Sequence, residues 1–304
     1  MSELNQFLWR CGSCGNAAMC INPQSVYCPH CHTHYSIQDG IWECADNFTP
    51  PGFHSDRCEH VLELEQHHFW FKARDRLLLH KLKTLRHSNE NSLLELGCGS
   101  GRVLADLSND FSKTAGIEGH IGPLERARLS SPNSLLLHAD VLASPLADQQ
   151  FDWVTAFDVL EHVEAPLLLK EAYRLTRPAG RMLLSVPAFP ILWSHVDQVA
   201  GHRCRYRLQQ LESELSSTGW RLQGYTYFQF FLFPLLAASR ILNRNAQPHL
   251  EHQPPKMINF LLGAINQLEV SLFAQYSLPF GSSLIAWADK QEMPYKEAHE
   301  RTTQ

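Results

Sequence analysis

No run of about 18 apolar residues occurs in this 304-residue chain, so no ordinary transmembrane helix is expected. Met1 to Arg10 has no basic stretch leading into an apolar one, so no secretory signal is expected either. Charge of one sign is also scarce. Twenty-six Lys and Arg stand against 31 Asp and Glu, and the net charge of −5 argues against a broad nucleic-acid-binding surface while leaving a local patch open. Of the nine cysteines, only four fall in close pairs, which is not the pattern of a secreted disulfide framework. These absences point to a reducing, cytoplasmic protein. The length suits one large domain with attachments, or two domains.

The paired cysteines come first. Cys11-Gly12-Ser13-Cys14 and Cys28-Pro29-His30-Cys31 are two C-x-x-C knuckles joined by a hairpin-length spacer. Four thiolates placed this way suit one tetrahedral zinc ion, so residues 1–45 are predicted to form a zinc ribbon with Cys11, Cys14, Cys28 and Cys31 as ligands. A redox dithiol is the minor alternative. So small a segment would depend on the metal for its folding energy. His30, His32 and His34 read as solvated neighbours, and Cys20 and Cys44 as spare thiols. Residues 46–57, with Pro50-Pro51-Gly52, read as a linker.

A helical pattern follows from Cys58 to Leu85, carrying the cluster Phe69-Trp70-Phe71 with Arg74 and Arg76 after it. That cluster is either core or a lid over a ligand. Leu93 to Leu96 is a short apolar run of the kind that makes a buried parallel strand. It stops at Gly97-Cys98-Gly99-Ser100-Gly101, and a helical pattern starts at Arg102. Strand, glycine turn and helix bring backbone N–H groups against a nucleotide-like ligand. The dinucleotide fingerprint would need glycine at position 102, which is Arg102. Glu118 then closes a second strand, where an acid accepts hydrogen bonds from ribose hydroxyls. Asp140-Val141 follows a third strand, and a fourth, Phe151 to Phe157, leads into Asp158-Val159-Leu160-Glu161-His162.

The Glu95-x-Gly97-x-Gly99-x-Gly101 stretch resembles motif I of class I S-adenosylmethionine-dependent methyltransferases. The Asp158 to His162 segment resembles the same family's small-molecule members, including quinone-biosynthesis enzymes. The Arg177-Pro178-Ala179-Gly180 turn before a fifth strand agrees with that. The resemblance implies an α/β fold, with a Rossmann-like, seven-stranded, mostly parallel sheet over residues 58–292. It implies S-adenosylmethionine as cofactor, held by Glu95, Gly97, Cys98, Gly99, Gly101, Glu118, Asp140, Val141 and Asp158. The [DNS]-P-P-[YFW] signature of amino-methyltransferases and the Pro-Cys nucleophile of pyrimidine-C5 enzymes are both missing.

Two segments depart from the plain pattern. Trp193-Ser194-His195-Val196-Asp197 and Gly201-His202-Arg203-Cys204-Arg205-Tyr206 lie beyond the fifth strand, on the ligand side of such a sheet. They resemble a W-x-x-H-D…G-H-x-R-R-Y pattern of a bacterial subgroup, with Val196 inserted and Cys204 in place of an arginine. His162, His195 and His202 are candidates to accept a proton. Trp193, Arg203, Arg205 and Tyr206 are candidates to bind substrate, with Arg203 or Arg205 able to hold an anionic one. The second departure is an apolar helical insert, residues 229–280, before the last strand. It could cover the site, form a homodimer interface or lie in a membrane surface. The tail 293–304 reads as disordered. The expected activity is O-methylation of a small or lipid-linked substrate, in the cytoplasm or at the membrane periphery. The alternatives are an RNA methyltransferase using the ribbon for recognition and a non-catalytic cofactor-binding scaffold.

Overall fold

The computed structural model describes residues 7–44, 55–242 and 254–292. Most of the expected linker, residues 243–253 of the insert and the tail 293–304 lie outside the described residues. The elements in chain order begin with five short strands, β1 (Trp9–Arg10), β2 (Ala17–Asn22), β3 (Ser25–Tyr27), β4 (His34–Gln38) and β5 (Ile41–Glu43). Two helices follow, α1 (Ser55–His67) and α2 (Phe69–Leu85). Then come β6 (Ser92–Leu96), α3 (Arg102–Leu107), β7 (Lys113–Glu118), α4 (Ile121–Ser130), β8 (Leu135–His138), β9 (Phe151–Phe157), α5 (Ala165–Leu175) and β10 (Thr176–Pro187). A 3-10 turn at Pro190–Leu192 leads into α6 (His195–Val199), α7 (Leu208–Ser217), β11 (Trp220–Phe228), α8 (Phe233–Leu242), α9 (Lys256–Phe273) and β12 (Ser283–Lys290).

The apolar run in β6 is buried at every position, as a strand covered by helices on both faces must be. It sits centrally, with β7 and β9 parallel on either side, through Leu94↔Ala115 and Leu94↔Val154. The order β8-β7-β6-β9-β10-β12-β11, with β12 antiparallel to both neighbours, contains the seven expected strands. The fifth of these is longer than its sequence pattern suggests. Thr176 belongs to β10 and not to the preceding helix, and the register against β9 shifts between Thr176 and Arg181. The Arg177 to Gly180 turn is therefore a bulge inside a strand. Gly180 is required there, because a Cβ would lie 2.6 Å from Thr176 Cγ2.

The sheet does not stop at seven strands. β5 pairs parallel with β8 through Trp42↔Leu137 and Glu43↔His138, so the cysteine-bearing segment continues the sheet to twelve strands. Glu43 Oε2 and His138 Nδ1 meet at 2.8 Å beside this junction. Trp9, Val26, Tyr35 and Trp42 share one hydrophobic cluster with Leu135, Leu137 and Leu146. Burying one such aromatic contributes about 1.5–3 kcal/mol. The ribbon thus has a core, borrowed from the sheet edge, besides any metal.

The insert is anchored from inside. Glu269 of α9 is buried and accepts hydrogen bonds from the amides of Gln229 (2.8 Å) and Phe231 (3.0 Å). α9 also packs on α2, where Asn259 Oδ1 accepts from Phe69 N at 3.0 Å and Asn259 Nδ2 donates to His67 O at 2.9 Å. The outer faces are another matter. Leu235, Leu242, Met257, Phe260, Leu261 and Leu268 are all exposed. No helix among the described residues is long and apolar enough to cross a membrane.

Candidate active site

A cavity of about 280 Å³ opens at the carboxyl ends of β6, β7, β8 and β9. This is the ligand position of an open α/β sheet. Its floor is the glycine turn. Gly97 has φ +70° and a Cβ there would lie 2.4 Å from Val159 Cγ2. Gly99 has φ +52° with nothing within 4 Å of such a Cβ, so its backbone is left open to a ligand. Gly101 starts α3 and lies against Ala127, outside the cavity lining.

Three acids sit around this floor, each just after or at the end of a strand. Glu118 ends β7; its Oε2 accepts from Gly99 N (3.1 Å) and its Oε1 from His120 N (3.0 Å). Burial raises its acid above the ordinary range. Asp140 follows β8, and its Oδ1 accepts from Leu142 N at 2.9 Å, closing an Asx turn that presents Val141 and Leu142 to the cavity. Asp158 follows β9 with φ +55°, a conformation a non-glycine residue adopts at some cost. Its Oδ2 pairs with Arg74 Nη1 at 2.5 Å.

The outer wall comes from α1. Val61, Leu62 and Glu65 line the cavity, and Glu65 Oε2 accepts from Ser100 Oγ at 2.5 Å. Arg102 ties the same turn down, donating to the Glu65 carbonyl and pairing with Asp75 at 2.6 Å. The aromatic trio is therefore not the lid. Phe69 is buried against α9, while Trp70 and Phe71 flank the Arg74 guanidinium at 4.7 and 5.4 Å. Arg74, Glu65 and the apolar pair on α1 carried no motif and were missed in the sequence. The one hint was an arginine placed just after a run of aromatics.

Of the expected cofactor residues, Gly97, Gly99, Glu118, Asp140, Val141 and Asp158 line the cavity, whereas Glu95, Cys98 and Gly101 do not. Glu95 is buried within β6, and burial pushes its acid up to about 8 despite the nearby Arg74 guanidinium. Cys98 is buried too, its amide donating to Ile117 O at 3.0 Å.

The loop after β10 is divided between the interior and the surface. Asp197 is 0% exposed and is the loop's hub. It accepts from His202 Nδ1 (3.0 Å), Arg205 Nε (2.8 Å) and Arg240 Nη1 of α8 (2.9 Å). Burial alone would raise its acid, but the His202 hydrogen bond and the two guanidiniums outweigh it and hold it well below the usual carboxylate range. Arg205 also donates to Ala188 O, and the buried Tyr206 donates to Leu160 O. Arg205 and Tyr206 are thus spent inside the fold and face no substrate. Arg203 is exposed and pairs with Glu164 at 3.3 Å. Trp193 is half-buried, His195 meets Gln198 at 3.3 Å, and neither lines the cavity. His162 does line it, and the His202 ring lies 4.9 Å from His162. The fold therefore brings two of the three candidate histidines together and leaves His195 apart.

Residues 94–184, which hold the glycine turn and all three acids, match the family model described as a methyltransferase domain. Residues 94–184 thus match a methyltransferase domain, and the strand order around them is that of the class I S-adenosylmethionine-dependent methyltransferase fold. The ubiquinone biosynthesis O-methyltransferase of Pseudomonas aeruginosa strain LESB58 is 29% identical over 133 residues, 39% of this chain and 57% of that protein. A demethylmenaquinone methyltransferase of Staphylococcus epidermidis is 27% identical over 150 residues, 45% of this chain and 58% of that protein. The methyltransferase domain thus spans just over half the length of these curated relatives. Among solved structures, a chain from the Haloferax volcanii complex of the Trm112 methyltransferase activator with a methyltransferase superposes with TM-score 0.56. The identity is 14%, over 81% of this chain and 100% of that one. The geranyl diphosphate C-methyltransferase of Streptomyces coelicolor superposes with TM-score 0.52 at 12% identity, over 78% and 83%. At these identities the methyltransferase domain shares the neighbours' fold.

Proposed function

We propose that the protein transfers a methyl group from S-adenosylmethionine to an oxygen of a small or lipid-linked, quinone-type acceptor at a membrane surface. The observation that carries this is the convergence of Glu118, Asp140 and Asp158 on one cavity floored by Gly97 and Gly99. The donor set fits the cofactor. Glu118 accepts from the ribose hydroxyls, and the Asp140 turn takes the adenine edge between Val141 and Leu142. Asp158, held by Arg74, faces the charged methionyl end. The cofactor supplies an electrophilic methyl on a sulfonium, already a good leaving group, so the chain's main task is alignment. Val61 and Leu62 exclude water, and His162, with His202 beside it, draws the proton from the acceptor hydroxyl.

The relatives' quinone substrates support the acceptor class. The bare apolar faces of α8 and α9 support a membrane-facing surface, since an amphipathic helix lies in the headgroup region with its apolar side down. The ribbon is read as a zinc-stabilised extension of the sheet. Its sulfurs approach at 3.4 Å (Cys11–Cys31) and 3.5 Å (Cys14–Cys28), near the roughly 3.8 Å edge of a tetrahedron with Zn–S of about 2.3 Å. Its aromatics Phe7, Trp9, Tyr35 and Trp42 are buried at the sheet junction, which supports packing over RNA recognition.

The test is methyl transfer from labelled cofactor to demethylated quinols in the presence of vesicles, read by mass spectrometry. A product one methyl heavier supports the reading. Methylation of RNA with none of quinols would replace it.

A further inference from the structure

Glu161, between β9 and α5, was given no role by its motif, yet it is 1% exposed and its Oε2 has no hydrogen-bond partner. A buried carboxylate oxygen left unsatisfied keeps its desolvation cost, which a bound cation would relieve. The fold surrounds it with nitrogen donors of a particular kind. One ligand atom each from Glu161, His162 and His202 lies within 4.8 Å of the other two. The two segments are stitched together by their backbone, Arg203 N donating to Glu161 O at 2.7 Å. His202 is also oriented. Its Nδ1 is engaged by Asp197 at 3.0 Å, which leaves Nε2 as its ligand atom. Asp197 is fixed in turn by Arg205 and Arg240. Carboxylate, imidazole and ion in series is how metal-binding histidines are commonly aimed.

Two imidazoles and one carboxylate suit zinc or another divalent transition metal, and three protein ligands leave a position open. His162 lines the cofactor cavity, so the cluster borders the space where an acceptor would enter.

We propose that Glu161, His162 and His202 bind one divalent transition-metal ion, zinc by donor preference, whose open position takes an oxygen of the methyl acceptor. The ion site stands on its own geometry, whereas its use in transfer rests on the methyltransferase reading. With the ion bound, both imidazoles act as ligands, and the ion's charge takes over the task of acidifying the acceptor hydroxyl. The hydroxyl proton leaves to solvent, the oxygen forms its bond to the methyl carbon, and the carbon–sulfur bond breaks to give S-adenosylhomocysteine. Acceptors with two adjacent oxygens, such as catechol-type quinols, would chelate best.

The test is a calorimetric titration of the full chain with ZnCl2 after loading one equivalent into the ribbon, with elemental analysis of the product. The expected result is a second site in the wild type. E161Q and H202Q should each weaken that site at least ~10-fold, as ligand loss does, and keep the ribbon zinc. Cobalt substitution separates the sites, because only the ribbon gives thiolate charge-transfer bands. A wild type that takes up one equivalent only, or a second site unaffected by either substitution, overturns the proposal. Cofactor binding is titrated separately, so a second zinc in a protein that binds no S-adenosylmethionine would uphold the ion and sink the methyltransferase reading.

Discussion

Arg74 Nη1 lies 2.5 Å from Asp158 Oδ2, joining α2 to the strand end that borders the cavity. Both side chains are largely buried, the guanidinium also pairs with Asp75 at 2.9 Å, and Trp70 and Phe71 flank it. Removing one partner of such a pair leaves the other charge without compensation. R74A is expected to cost about 2–4 kcal/mol in denaturant unfolding and to weaken cofactor binding. R74K should recover part of the stability, since it keeps the charge but loses the two-carboxylate fork. Equal stability of R74A and wild type would show that the pair is dispensable.

Gly97 faces Val159 so closely that a Cβ would lie 2.4 Å from Cγ2, in a backbone with φ +70°. G97A should therefore lose stability by about 1–3 kcal/mol and bind cofactor poorly. Adding V159A should restore the part that comes from the clash and leave the part that comes from the backbone. A double variant no better than G97A would mean that the backbone conformation accounts for the whole loss.

His68 caps α2, its Nδ1 accepting from Trp70 N at 3.2 Å, and burial holds its imidazole down to about 4. Between about 4 and the ordinary value of 6.5, the unfolded chain binds a proton that the folded chain does not. The contribution of His68 to stability is thus complete above pH 6.5 and declines as pH falls toward 4. Imidazole NMR resonances should include one that stays neutral at pH 5 and is absent from the spectrum of H68Q. A His68 resonance that titrates at the ordinary imidazole value would remove this account of the cap.

The ribbon and the sheet share Trp42 and Leu137 across one parallel pairing, so they should unfold together. C31S, which removes one proposed zinc ligand, is expected to lower a single unfolding midpoint by about 4–8 °C, equivalent to about 2 kcal/mol. An early ribbon transition with an unchanged main midpoint would show two independent units.

Much of the nucleotide-type architecture was legible, because it is written locally. The four apolar residues Leu93 to Leu96, the glycine spacing and the acids at 118, 140 and 158 are each read within a few residues of a strand end. What escaped is non-local. Nothing in Ile41-Trp42-Glu43 announces that it will pair with β8, since edge pairing uses backbone groups and leaves no periodicity. The loop from Trp193 to Tyr206 misled for another reason. Its histidines and arginines read as ligand-facing groups, but Asp197 gathers His202, Arg205 and Arg240 into a buried network. A single sequence does not show which charges will find each other.

The apolar faces of α8 and α9 invite a direct test. Phe260 and Leu261 are exposed on α9. F260E/L261E should abolish co-sedimentation with anionic vesicles and leave the fold intact, because neither side chain is buried. Wild-type protein that stays in the supernatant, and instead elutes as a dimer broken by the same change, would assign the face to self-association.

The central claim is tested most directly by calorimetric titration of the zinc-loaded full chain with S-adenosylmethionine. The account predicts one site per chain, weakened at least ~10-fold in E118A and in D140A, each loss corresponding to about 1.4 kcal/mol or more. Absence of binding by the wild type, or binding indifferent to both substitutions, would contradict it.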